Sequence, residues 1–170
     1  MSIVIIGLIV STLIIMVQGG KEARELGVMS LVVGLSLESN NVAQIIMISG
    51  IVVLIVGEQD METVVLGVMG IIGLIIVGTT TGLLTMYLGI EIVGLSFYIL
   101  AGRERKGAKS TEAGMKYFVL GAISSGILLM GITKVYAETG TTDIELIGTV
   151  SKTMVEVGIL FKVGAAPFHM

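Results

Sequence analysis

The sequence predicts an all-α fold, a polytopic transmembrane bundle of about seven helices. Three observations predict it. First, 54% of the residues are hydrophobic and 14% charged, with a mean hydropathy of +1.03. A soluble fold of 170 residues has too little interior for that much apolar side chain, so the excess faces lipid. Second, the apolar residues fall into long runs parted by short polar connectors. Third, 24 glycines stand against one proline, which suits helices that approach closely inside a bilayer.

The runs can be taken in order, against the roughly 20 apolar residues (lower bound about 17) that span the hydrocarbon. The first is Ser2–Gln18. It has no basic stretch before it and no clean small-residue cleavage site after it, so it reads as a retained helix rather than a signal peptide. A charged connector, Lys21 to Glu25, follows. The second run, Leu26–Leu37, is short and closes at Glu38-Ser39-Asn40-Asn41. The third, Val42–Gly57, ends at Glu58-Gln59-Asp60. From Thr63 to Gly102 the chain is almost unbroken apolar. As one helix it would reach about 60 Å, so it must break, and Thr79-Thr80-Thr81-Gly82 is the natural place. That gives a fourth span, Thr63–Gly78, and a fifth, Gly82–Ala101. After the hydrophilic loop Arg103 to Lys109 comes the sixth, Thr111–Ala137. A polar stretch, Glu138 to Glu145, leads to a seventh that begins near Gly148 and is broken near Pro167.

With seven spans, Lys21 and Arg24 share a face with Arg103, Arg105, Lys106 and Lys109. The connector carrying Asp143 and Glu145 lies opposite. Lysine and arginine bias then places the N-terminus outside and the fifth connector inside. No linker or repeat divides the chain, so residues 1–170 read as a single membrane domain.

Composition also excludes chemistry. No cysteine means no disulfide, thiolate metal site, iron–sulfur ligation or haem attachment. One histidine cannot make a metal site alone, so neither a redox centre nor a cofactor is expected on this chain. A net charge of -3 without a basic stripe leaves nothing for nucleic acid.

The ionisable residues inside the spans carry the functional signal. Glu91 sits near the middle of the fifth span, where an acid costs roughly 2.5–3.5 kcal/mol on insertion. It needs a partner or a wet cavity. It is either a proton-binding carboxylate or a glutamate paired to hold helices together. Lys162 precedes the only proline by five residues. Pro167 has no N–H, so the Val163 carbonyl loses its helical donor, and a broken membrane helix is tolerated where it lines a cavity. Lys162 either titrates there or snorkels to the inner surface. Glu112 and Lys116 are spaced for an i, i+4 ion pair, in a helix that Ser110 or Thr111 would cap. Lys116 is one turn deeper. Glu156 is six residues before Lys162, about 600° round the helix and so on another face, where Lys152 is in reach. Lys134 reads as snorkelling, and His169 lies at the chain end. A carboxylate and one or two lysines on three neighbouring helices, beside a broken helix, are the material of a proton path.

The same residues resemble a known family. Tyr87-Leu88-Gly89-Ile90-Glu91, Ser96-Phe97-Tyr98, Ser110-Thr111-Glu112-Ala113-Gly114-Met115-Lys116-Tyr117 with its continuation to Gly126, and Gly158 to His169 are similar, in order and spacing, to subunit 2 of NADH:ubiquinone oxidoreductase, respiratory complex I. The resemblance covers Leu83–His169. It implies an antiporter-like subunit of about fourteen helices built on inverted repeats. It implies that Glu91, Lys116 and Lys162 belong to a charged axis coupling quinone reduction to proton translocation. Glu112 stands one turn before Lys116, and His169 is carried as a further candidate. It implies membrane-arm subunits and the lipid bilayer as partners, with NADH, flavin, iron–sulfur clusters and quinone bound by other subunits.

Gly94 and Glu156 depart from the family pattern. The sequence also stops inside the broken helix, which gives the expectation of a split gene with a second chain carrying the C-terminal half. A split, cysteine-free product suits a mitochondrial genome, hence the mitochondrial inner membrane. Two alternatives stand beside this: a subunit of a multi-component sodium/proton antiporter, and a non-transporting membrane scaffold.

Overall fold

The computed structural model describes residues 2–18, 22–57, 60–104, 107–147 and 153–165. These form seven helices: α1 (Ser2–Gln18), α2 (Ala23–Leu37), α3 (Asn41–Val56), α4 (Met61–Thr79), α5 (Leu83–Ala101), α6 (Ala108–Thr139) and α7 (Thr153–Val163). The fold is an all-α polytopic helix bundle. The long apolar run breaks where expected, at Thr80-Thr81-Gly82. Thr80 is the C-cap of α4, and its hydroxyl accepts from the Gly82 N–H at 3.2 Å.

Among the described residues, three helices are long and apolar enough to cross a membrane: α4, α5 and α6. α1 and α3 are apolar but have 17 and 16 residues, about 26 and 24 Å. α2 has 15 residues. Its first turn includes Arg24 and Glu25, which the sequence had placed in the connector. α6 runs 32 residues, about 48 Å, and so extends beyond the hydrocarbon. It starts at Ala108 with Gly107 as N-cap, not at Thr111. Ser110 does not cap it. The Ser110 hydroxyl instead donates to the Ala101 carbonyl at 2.8 Å, satisfying an end carbonyl of α5.

The helices form two groups. α1 to α4 enclose one core, with Leu8, Leu31, Met47, Val68 and Ile75 at its centre. α5, α6 and α7 enclose another around Leu83, Leu128, Val135 and Val155. The α4–α5 contact joins them. It is close because Gly73 and Gly89 face each other. A Cβ on Gly73 would lie 2.8 Å from the Gly89 carbonyl oxygen, and one on Gly89 2.9 Å from that of Gly73. α7 packs on α6 in the same way, with a Cβ on Gly158 lying 2.8 Å from the Leu128 Cα.

The connectors alternate between faces. Arg103 pairs with Asp60 and donates to the Thr63 hydroxyl at 2.5 Å, so the third and fifth connectors meet on one face. This gives the acidic third connector a basic partner on its own side. On the other face, Leu83 N–H donates to the Thr142 carbonyl at 2.7 Å, and Ile144 N–H to that of Thr81 at 2.9 Å.

The last helix ends four residues before Pro167. α7 ends at Val163, and Gly164 takes a φ of 70°. Gly164 N–H donates to the Phe161 carbonyl at 3.2 Å, and Ala165 N–H to that of Leu160 at 3.0 Å. This is a Schellman closure, which needs a left-handed residue. The helix is therefore terminated by glycine. Pro167 lies outside the described residues.

Gly158→Val should lower the thermal stability of the protein in lipid or detergent by about 1–3 kcal/mol through overpacking. Gly126→Val, where a Cβ meets nothing within 4 Å, should not. Thermal unfolding of the two variants checks this.

Candidate functional site

Glu91 is the ninth of nineteen residues in α5. Lys162 lies in the last turn of α7. Among the described residues, the backbones of α5 and α7 do not pack against each other, yet these two side chains meet. The Lys162 ammonium donates to Glu91 Oε1 at 3.0 Å. The lysine side chain is 14% exposed and the glutamate 25%. In so dry a setting the pair is held by hydrogen bonds as well as charge, and removing one partner strands the other.

Two further groups complete the site. The Ser125 hydroxyl of α6 donates to the same Glu91 Oε1. It also lies 2.8 Å from the Gly121 carbonyl oxygen. A hydroxyl has one proton and free rotation, so it can give that proton to a charged Glu91 or turn it to Gly121 and accept from a protonated one. The second group is Tyr98, whose hydroxyl accepts from Lys162 at 3.2 Å, with the ammonium 5.9 Å from the ring centroid.

Tyr98 reaches Lys162 because its side chain leans back toward the start of α5, as helical side chains do. It lies over Gly94, one turn earlier. A Cβ there would sit 2.9 Å from the hydroxyl, and one on Gly121 of α6 would overlap it. The slot between these two glycines fixes the phenol. Tyr117 and Phe118 clamp it edge-on, with centroids 4.6 and 5.9 Å away. Gly94, which departs from the family pattern, thus has a local purpose.

Beside the pair is a cavity of about 500 Å³, lined by α4, α5, α6 and α7. Its walls are mostly apolar, with Lys162, Tyr98, Tyr117 and Ser124 as its polar members.

The structure thus brings Glu91 and Lys162 together, on α5 and α7. It does not bring Lys116 to them. Lys116 pairs with Glu112 on the outer side of α6, the two side chains 65% and 63% exposed. Gly114 lies against Gly102, so Lys116 is level with the end of α5. Ser125 is nine residues further along α6, about 13 Å. Glu112 is not in the first turn, which begins at Ala108. Glu156 and Lys134 are exposed. His169 and Lys152 lie outside the described residues. Among the described residues, no three His, Asp or Glu side chains cluster as a metal ion would require.

Sequence reasoning missed Ser125 and Tyr98 as site residues. For Tyr98 a signal existed: it is seven residues after Glu91, two turns on, and so on the same face. Ser125 carried none, because nothing in one sequence says which face of α6 meets α5.

Comparison with known proteins follows this geometry. Residues 80–170, more than half of the chain, match the family described as NADH:quinone oxidoreductase/Mrp antiporter, transmembrane. NADH-quinone oxidoreductase subunit N of Trichlorobacter lovleyi is 44% identical over 113 residues, which is 58% of this chain and 23% of that protein. Subunit N 1 of Acidiphilium cryptum is 41% identical over 128 residues, 68% of this chain and 27% of that protein. Subunit N of Maricaulis maris is 45% identical over 120 residues, 64% of this chain and 25% of that protein. The matched stretch therefore spans about a quarter of each relative. Among solved structures, a chain of respiratory complex I from Thermus thermophilus with bound aureothin superposes with a TM-score of 0.83 at 21% identity, over 98% of this chain and 45% of that one; this likeness is one of fold. With helices α5 to α7 and their Glu91–Lys162 pair inside the matched segment, the chain belongs to the NADH:quinone oxidoreductase/Mrp antiporter transmembrane family.

Proposed function

We propose that this chain supplies the first half of a proton-translocating, antiporter-like membrane-arm subunit of an NADH:quinone oxidoreductase. The observation that carries this is the Glu91–Lys162 ion pair, held at 3.0 Å in mid-span beside a cavity. Two unit charges about 4 Å apart interact by about 4 kcal/mol at an effective dielectric near 20, enough to decide whether a proton binds. A charge arriving from a neighbour that draws Lys162 away leaves Glu91 unpaired and ready to take a proton. Ser125 rotates to suit either state. When Lys162 returns, the pair re-forms and the proton on Glu91 is released. Lys116 with Glu112 is the next charged pair along α6, nearer the Arg103 face, and His169 is a further candidate. NADH, flavin, iron–sulfur clusters and quinone belong to other subunits in this scheme, and this chain binds none of them.

Support comes from the relatives named above, all subunit N of NADH-quinone oxidoreductases. The other membrane-arm subunits are partners in the proposal, and so are the further helices of such a subunit, on a second polypeptide or on a continuation of this one. The relatives named are bacterial and give the mitochondrial inner membrane no support. The proposal therefore requires only a membrane that sustains a proton gradient. The family's description also covers multi-component antiporters, which makes a sodium/proton antiporter subunit the second possibility.

Native-gel separation of gently solubilised membranes, with mass spectrometry of every slice, tests the assignment. Migration with an NADH-oxidising assembly of high mass is expected. Migration in a small complex lacking flavin and iron–sulfur subunits would transfer the chain to the antiporter class. Peptides running on past Met170 would replace the second polypeptide with one continuous chain.

In the assembled complex, Lys162→Met and Glu91→Gln should each lower proton pumping by about tenfold or more, as loss of several kcal/mol of charge interaction demands. Lys162→Arg should keep part of it. Lys116→Met should cost less than Lys162→Met, because its partner is local. Dye-quenching assays on membrane vesicles read all four; unchanged pumping by Lys162→Met in a normally assembled complex would make the chain a scaffold.

A further inference from the structure

Two cavities meet at Tyr98. One is the space beside Lys162. The other, of about 370 Å³, lies over α4, α5 and α6 and reaches the face that carries Arg103 and Glu62. The first is bounded on α5 by residues such as Val93, Gly94 and Phe97, the second by Leu95, Ile99 and Gly102. Tyr98 is the one residue that lines both. Its side chain is held in place from three sides: the Gly94–Gly121 slot, the edge-on rings of Tyr117 and Phe118, and the hydrogen bond from Lys162. It is 7% exposed.

We propose that the Tyr98 ring is a partition between an access cavity opening on the Arg103 face and the cavity that holds Lys162, and so controls which side of the membrane the lysine communicates with. No change of helix packing is needed to open it. Rotation of one phenol out of the glycine slot joins the two spaces. The slot explains why the ring stays closed at rest: edge-on aromatic contacts and a charge-assisted hydrogen bond both act on it. Lys162 is itself one of the three restraints, so its departure from Glu91 would also loosen the ring. The link to proton transfer rests on the function proposed above. The partition itself does not, and its test reads access rather than pumping.

The chain has no cysteine, so a single introduced thiol reports one position. Ser124→Cys places it in the Lys162 cavity, at a side chain 1% exposed. The probe is a cationic, membrane-impermeant methanethiosulfonate reagent added from the Arg103 face of oriented vesicles carrying the assembled complex, with labelling of this chain followed by mass spectrometry. Labelling should be slow with Tyr98 in place and about tenfold faster with Tyr98→Ala, since thiol reactivity follows access. Tyr98→Phe keeps the ring and should restore the slow rate. Ile132→Cys, a core position lining neither cavity, should stay unlabelled throughout. Equal rates with and without the ring would overturn the proposal, and so would Tyr98→Phe labelling as fast as Tyr98→Ala. Labelling of Ile132→Cys alongside Ser124→Cys would overturn it too, by showing that the helices had simply separated. Should Tyr98→Ala fail to assemble, Tyr98→Leu, too short to fill the slot, gives the same comparison.

Discussion

A carboxylate in the middle of a lipid-embedded helix constrains everything around it. Glu91 cannot remain charged in hydrocarbon without a cation, so α7 must deliver Lys162 to it, and α6 must stand between them to offer Ser125. The arrangement of α5, α6 and α7 meets that requirement. α6 packs on both neighbours, while α7 reaches α5 through side chains alone. The ion pair therefore bridges a gap rather than filling a core, and the gap is where the cavity lies. A pair so placed adds little net stability, since the desolvation of both charges offsets most of their attraction. What it does give is a state that changes when one charge moves.

Glycine makes the bridge possible. Helices in a bilayer gain nothing from apolar area alone, because lipid is as apolar as leucine, so they associate by close contact. Here close contact occurs at Gly73 with Gly89, at Gly158 with the backbone of Leu128, and at Gly114 with Gly102. The same residue type has a different use at Gly94 and Gly121, where the space left by two missing side chains receives the end of a tyrosine. The first use sets distances between helices. The second sets the position of one hydroxyl.

Much of this could be read in the sequence, because membrane burial leaves strong marks. Hydropathy located the first six helices to within about three residues, and the break at Thr80 to Gly82 was forced by length; the expected start of the seventh near Gly148 lies outside the described residues. The cost of Glu91 demanded a partner, and Lys162 proved to be it. The misreadings share a cause: local rules were decided by neighbours that a single sequence cannot display. Ser110 looked like a helix cap and instead serves the end of α5. Lys116 pairs with Glu112 as its spacing indicated, and the angle at which α6 presents the two turns them outward. Tyr98 shares a face with Glu91 by simple spacing; only the glycine opposite, on another helix, shows that it can lie down and reach the ammonium.

The anchorage of α7 has a consequence for how this segment can vary. Gly158 is pressed against the α6 backbone, and Gly164 ends the helix by a left-handed turn. Lys162 lies between these two fixed points, one turn beyond the first and two residues before the second. Adding or deleting a residue between Gly158 and Lys162 would swing the ammonium about 100° round the axis, away from Glu91. Gly158 to Lys162 therefore acts as a ruler whose length cannot change by a single residue.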